Sequence, residues 1–364
     1  MPLKTFLLNK RFNRKCRLNG IWPSNRLPHK ANLRRSFNDR LMFSREELPP
    51  KIDLRNEMTT VENQSSIGSC SANALAGVYE YLARKKHGES IDVSRLFIYY
   101  NSREKDQPGE PVTDSGCSMT SAIEALEEFG TCLESLWPYD ISRVNTRPNS
   151  EVYTSAKPHT ISEALQIKIN LYEMKSCLAQ GFPFVFGLHL FTSFDKAAKT
   201  GTVPMPDSND RSRQSDGSHA LVAVGYSDQS QSFIVRNSWG EDWGDRGYCY
   251  IPYDYMTDPD LCFDAWTIRK VSDNDFSQEH WDYNDDIDYQ NNNNDNGNDD
   301  DDDNAYDRVI EQIEEDDFEV NFNDNAHGDF GGDSWNTDDQ KGYDQQWNQN
   351  YDFGFNDNAG FDQQ

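Results

Sequence analysis

Val61-Glu62-Asn63-Gln64-Ser65-Ser66-Ile67-Gly68-Ser69-Cys70-Ser71 is the stretch on which the reading of this chain turns. Up to Gly68-Ser69 it is polar and turn-like; beyond that the pattern switches. Ala72, Leu75, Val78 with Tyr79, and Leu82 with Ala83 recur at helical spacing as far as Lys86, and Gly88 stands where a helix would stop. Cys70 is thereby predicted at a helix N-terminus, where free N–H groups and the partial positive charge of the helix favour a thiolate. A lone cysteine among small residues is more often buried and inert, so the weight of the reading rests on what the rest of the chain supplies.

His219 follows the polar loop Ser215-Asp216-Gly217-Ser218 and heads an apolar strand-like run, a setting shared by none of the other six histidines. Asn237 lies in the next strand-like run, within Asn-Ser-Trp-Gly. Adjacent antiparallel strands place an Asn amide beside an imidazole, where it would hold the ring in the tautomer that serves a thiolate. Gln64 can offer a side-chain N–H to a developing oxyanion, and the backbone N–H of Cys70 would be the second donor.

These residues stand in three ordered blocks. Val61–Ser71 resembles the nucleophile segment of the papain family of cysteine peptidases. Gly217-Ser218-His219-Ala220 with Val224-Gly225-Tyr226 is similar to its histidine block, and Asn237-Ser238-Trp239-Gly240-Glu241-Asp242-Trp243-Gly244-Asp245-Arg246-Gly247-Tyr248 to its asparagine block. Leu48–Arg55, Asp114-Ser115-Gly116 and Trp137-Pro138-Tyr139 add lesser matches, so the likeness spans roughly 48–270. The resemblance implies a two-lobed α+β fold, with a helical lobe, an antiparallel β-rich lobe and a cleft between them. It implies that Cys70 attacks the scissile carbonyl, His219 shuttles the proton, Asn237 positions His219, Gln64 lines the oxyanion hole and Trp239 covers the His–Asn contact. Gly116 would mark the loop along which substrate backbone lies.

The departures narrow the resemblance. Ile67 stands where members made for oxidising compartments usually carry a cysteine, Ser71 where an aromatic is common, and Ser218 where Asp or Gly is frequent. Ser71-Ala72-Asn73-Ala74 is similar to bacterial and large-virus members. The long helical pro-domain usual in the family has no counterpart before residue 48. Latency by such a domain is therefore not expected; the alternative is a basic arm folded onto the body or the tail by charge.

That arm is visible in the charge pattern. Residues 1–50 carry 12 basic and 3 acidic side chains. Residues 272–364 carry 29 acidic and 2 basic ones, which accounts for the whole formal charge of −27. Three regions follow: a basic arm or short pro-segment over 1–47, a peptidase-like domain over 48–271, and an Asp/Asn-rich tail over 272–364 expected to be disordered, since it holds too little apolar surface to offset the entropy of ordering. The arm reads first as poorly ordered, with a pro-segment or a patch for an acidic partner as alternatives. The tail is expected to bind a basic partner or the arm itself.

Helical spacing predicts helices over 70–86, 118–130 and 161–180; apolar runs predict strands over 182–190, 219–226, 232–239, 247–252 and 265–269. No run approaches the ~20 apolar residues of a membrane span, and the N-terminus lacks the order of a secretory signal. An intracellular (cytoplasmic) protein with reduced cysteines is expected, packaged in a virion if the source is viral. Protein or peptide substrates are expected, with no metal, no cofactor and no nucleic-acid partner, because phosphate affinity needs clustered cations. An inactive binding scaffold, a Cys–His amidase or acyltransferase, and a packaging protein working through its tail remain the rival readings.

Overall fold

The structure is a computed structural model that describes residues 6–9, 14–88, 90–211, 215–271 and 274–275. The expectations for the acidic tail fall outside the described residues, apart from the pair Asn274–Asp275.

In chain order the strands are β1 (Phe6–Asn9), β2 (Arg14–Arg17), β3 (Arg35–Ser36), β4 (Lys51–Asp53), β5 (Ile161–Ile167), β6 (Phe184–Leu190), β7 (Gly217–Ser227), β8 (Ser232–Arg236), β9 (Tyr248–Pro252), β10 (Cys262–Val271) and β11 (Asn274–Asp275). The main helices are α1 (Cys70–His87), α2 (Arg95–Asp106), α3 (Met119–Glu128), α4 (Ser150–Ala156) and α5 (Leu171–Ala179). The large sheet runs in the order β3-β5-β10-β6-β7-β8-β9, with β4 added to β7 and β11 to β10. Every pairing in it is antiparallel except β3 with β5. β1 and β2 form a separate antiparallel pair.

α1 joins the two halves of this α+β body. It packs against α2 and α3 on one side and against β6, β7 and β10 on the other. Residues 70–83 are buried all round, which explains why its apolar stripe is broad. Its C-terminus closes as predicted: Gly88 takes φ +74° and donates its N–H to Arg84 O at 2.8 Å, a left-handed cap that costs glycine little. β7 is buried from Gly217 to Tyr226 because strands or helices cover both of its edges and faces. The active-site wall is thus a central strand.

Two expectations are corrected. The single helix over 161–180 is a strand followed by a helix, β5 and then α5. The break is set by Asn170, whose side chain accepts from Glu173 N at 2.9 Å, while Glu173 accepts from Lys168 N at 3.0 Å: a reciprocal cap that starts α5 afresh. Glu163 broke the alternation that would have marked β5 as a strand. It is buried, and Arg35 (3.0 Å) and Arg40 (3.7 Å) pair with it there.

The second correction concerns the basic arm, whose residues 14–47 are built into the fold instead of lying loose. Leu33 and Phe37 are fully buried in the core, β3 extends the main sheet, and Gln180 Nε2 donates to Arg40 O at 2.8 Å. Two buried apolar side chains and a set of charge pairs offset the ordering entropy that composition alone suggested would win.

Candidate active site

The site sits where the N-terminus of α1 meets the first residues of β7. Cys70 is the first residue of α1 and fully buried. The backbone of Ala220, next to His219, hydrogen-bonds its sulfur, which brings β7 alongside the thiol. Burial pushes the thiol up to about 12, against backbone hydrogen bonds from Ala220, Ser71, Cys70 and Gly20 that pull it down.

His219 is fully buried as well. Its Nε2 lies 2.8 Å from Asn237 Oδ1, and the backbone N–H of Ser238 donates to that same oxygen at 2.8 Å. The Ser238 donor fixes which end of the Asn237 amide is oxygen. The imidazole nitrogen facing it must then carry the proton, which leaves Nδ1 a bare acceptor. Nδ1 has no hydrogen-bond partner among the described residues, so in this pose it is an acceptor not bonded to the Cys70 thiol. The ring lies against Trp239, centroids 4.7 Å apart and planes 25° from parallel. Burial lowers His219 to about 4, with the Asn237 bond pulling the other way. As it stands, the pair is a neutral thiol and a neutral imidazole.

Gln64 is buried and held at both ends. Its Nε2 donates to Ile67 O at 3.0 Å, and its Oε1 accepts the Ser238 hydroxyl at 2.6 Å. An amide has two N–H bonds, so one remains for an oxyanion. Tyr139 supports this turn from behind, donating to Gln64 O at 2.9 Å. Gly68 N is fixed to Asp114 Oδ1 at 2.8 Å, and Tyr99 bridges Asp114 (2.7 Å) and Gly116 N (2.9 Å). The Asp114-Ser115-Gly116 loop is thereby locked to the nucleophile turn.

All five residues expected at the site come together. Three participants were not expected. Ser238 orients Gln64 and Asn237 from one position; its place between Asn237 and Trp239 was the available signal. Ser218 and Cys117 present backbone groups to the cleft, and both are engaged by residues 19 and 20 of the arm. Asn19 N donates to Ser218 O at 2.7 Å, Ser218 N to Asn19 Oδ1 at 3.0 Å, and Cys117 N to Gly20 O at 3.1 Å. No sequence signal pointed to that engagement.

Fold and site together define a cysteine-type peptidase, acting on proteins or peptides. The model of the family described as papain family cysteine protease matches residues 48–261, and the chain belongs to that family. An uncharacterised peptidase C1-like protein of Acanthamoeba polyphaga mimivirus is 36% identical over 247 residues, covering 62% of this chain and 78% of that protein. Xylellain, a cysteine protease from Xylella fastidiosa, superposes with a TM-score of 0.57 at 30% identity, covering 74% of this chain and 98% of its own. A cathepsin L-like proteinase of Fasciola hepatica is 27% identical over 210 residues, with 55% of this chain and 59% of that protein covered.

Proposed function

We propose that the chain is an endopeptidase working through a Cys70–His219 pair and an acyl-enzyme. Once the site opens to water and substrate, His219 Nδ1 takes the Cys70 proton and the thiolate attacks the scissile carbonyl. The tetrahedral oxyanion is met by the spare N–H of Gln64 and the backbone N–H of Cys70. The imidazolium returns its proton to the leaving amine, and the acyl-cysteine is then hydrolysed by water that His219 deprotonates. Asn237 holds the ring through its rotation between these tasks, and Trp239 keeps water off that hydrogen bond. The unbridged thiols of Cys70, Cys117, Cys132, Cys177, Cys249 and Cys262 suit a reducing compartment.

The observation that carries this reading is His219 held by Nε2 on Asn237 Oδ1 at 2.8 Å, with the next residue, Ala220, hydrogen-bonded through its backbone to the Cys70 sulfur. The test is turnover of a quenched peptide library by the wild-type chain, Cys70→Ala and His219→Ala. Turnover is expected from the first alone. Equal turnover by Cys70→Ala would remove the assignment.

A further inference from the structure

We propose that Tyr99 and Asp114 are positioning residues: a phenol–carboxylate clamp that holds the nucleophile turn in register with the loop at Gly116, so that a bound peptide meets the Cys70 sulfur at the right depth. The proposal deepens the peptidase reading and rests on it. The turn and the loop are far apart in the chain, and no disulfide joins them. Ile67 leaves the turn without a second thiol, and Cys70 and Cys117 are both unbridged. Their spacing matters, because displacing reacting groups by about 1 Å can cost about 100-fold in rate.

The clamp is built on α2. Tyr99 is fully buried, and its hydroxyl works in both directions: it donates to Asp114 Oδ1 at 2.7 Å and accepts from Gly116 N at 2.9 Å. The same Asp114 oxygen accepts from Gly68 N at 2.8 Å. Cys70 follows Gly68 by two residues. Cys117 follows Gly116 directly, and its backbone N–H faces the cleft, where Gly20 O accepts from it at 3.1 Å. One phenol and one carboxylate oxygen thus connect the nucleophile turn to the edge on which an extended backbone pairs. Gly68 lets the parts close together. A Cβ there would lie 3.0 Å from the Tyr99 hydroxyl, 3.3 Å from Asp114 Oδ1 and 3.4 Å from Gly116 N.

Arg103 stiffens the clamp from one helical turn further on. Its guanidinium lies 3.8 Å from the centre of the Tyr99 ring and is itself buried. It donates to Thr113 O at 2.6 Å, Asn145 Oδ1 at 2.8 Å and Val144 O at 2.5 Å. Thr113 directly precedes Asp114, so two residues at i and i+4 on one face of α2 hold both ends of the loop. Burial raises the Tyr99 phenol far above its ordinary value, Arg103 lowers it and Asp114 raises it again, which leaves the hydroxyl protonated and able to donate. Neither Tyr99 nor Asp114 bonds the Cys70 sulfur, whose hydrogen bonds come from the backbones of Ala220, Ser71, Cys70 and Gly20. Both act through the turn.

The test compares the full chain with Tyr99→Phe, Asp114→Ala and Asp114→Asn on two substrates. One is a quenched peptide; the other is p-nitrophenyl acetate, an ester too short to pair with the loop. Tyr99→Phe removes only the hydroxyl, which unpins Gly116 and leaves Gly68 on Asp114. Its peptide kcat/KM is expected to fall about tenfold or more, mostly through KM, with a far smaller loss on the ester. Asp114→Ala frees the nucleophile turn as well and should lower turnover of both. Asp114→Asn keeps an acceptor oxygen and should recover most of the peptide turnover that Asp114→Ala loses. Equal losses on the two substrates in Tyr99→Phe overturn the positioning role, as does a lower melting midpoint with unchanged kinetics. If Asp114→Ala does not fold, Tyr99→Phe decides alone. A wild type that does not turn over peptide removes the peptidase reading instead. Hydrogen exchange then decides the clamp, which stands if Tyr99→Phe speeds exchange of the Gly116 amide and not of the Gly68 amide, and falls otherwise.

Discussion

Ser238 donates its hydroxyl to Gln64 Oε1 across 2.6 Å, and its backbone N–H to Asn237 Oδ1 across 2.8 Å. One residue thereby sets the orientation of both amides in the site. Ser238→Ala keeps the backbone bond and removes the hydroxyl, so it should disturb Gln64 while sparing the histidine. Losing an oxyanion donor outright costs on the order of 100-fold or more in kcat, and loosening one costs less, roughly tenfold. The expectation is a kcat fall of about that size with KM unchanged, measured on a quenched peptide substrate. A matching rise in KM would mean that Ser238 serves substrate binding instead.

The buried, neutral state of Cys70 and His219 sets a pH window for the folded chain. His219 is depressed to about 4 from its ordinary 6.5, so the folded form binds its proton less readily than the unfolded one. That contribution is full above about 6.5 and is lost as pH falls toward 4, on the order of 3 kcal/mol in total. Half-buried His189 is shifted down by burial too and adds in the same direction. Cys70 is raised to about 12 from 9, so its contribution is full below 9 and fades as pH climbs beyond it, together with that of buried Cys117. Denaturant midpoints should therefore hold level between about 7 and 9, because buried Glu80 and Asp264, raised to about 7 and about 6, lose their own contribution as pH rises below that window and partly oppose His219 there. His219→Gln should flatten most of the acid limb between pH 6.5 and 5; an unchanged limb in that variant would show that His219 is not the group being protonated.

The site was more legible in the sequence than its surroundings were. Cys70, His219 and Asn237 announce themselves because each needs a particular local setting, a helix start or a strand head, and such settings leave a pattern in neighbouring residues. Gly20 leaves none. It is placed by a fit against Cys70 Sγ and Gly68 O, far away in the chain, and nothing local distinguishes such a glycine from one in an open loop. Glu163 misled for the same reason: a carboxylate on an inward strand position looks wrong until Arg35 and Arg40 are seen beside it. α2 was missed because Tyr99, Asn101, Ser102 and Arg103 are all buried there, which erases the amphipathic stripe; only the Ser94 cap, accepting from Phe97 N at 3.1 Å, marks its start.

Glu124 ties Arg26 and His29 to α3. Burial pushes its carboxyl up, but the bonds from His29 and Arg26 more than offset this and leave it below the usual range. Glu124→Gln keeps the shape of the side chain and removes the charge that Arg26 meets. Charge-assisted hydrogen bonds of this kind contribute about 1.5–3 kcal/mol, and partial exposure of Arg26 places the loss near the lower end. The midpoint of unfolding should fall accordingly, and added salt should lower it in the wild type more than in the variant, because the screened interaction is already gone there; an unchanged midpoint in Glu124→Gln would show that the pair contributes nothing.

Phe37 anchors the N-terminal segment in the core. Its ring is fully buried in the core, so Phe37→Ala removes a large apolar side chain from a packed interior, at a cost of about 3–5 kcal/mol. That loss should appear as a lower midpoint of global unfolding. Thermal melts of the wild type and of Phe37→Ala check this, since the packing of the ring against the core leaves no room for the loss to be recovered; an unchanged midpoint would show that the segment around residue 37 is not held by its ring.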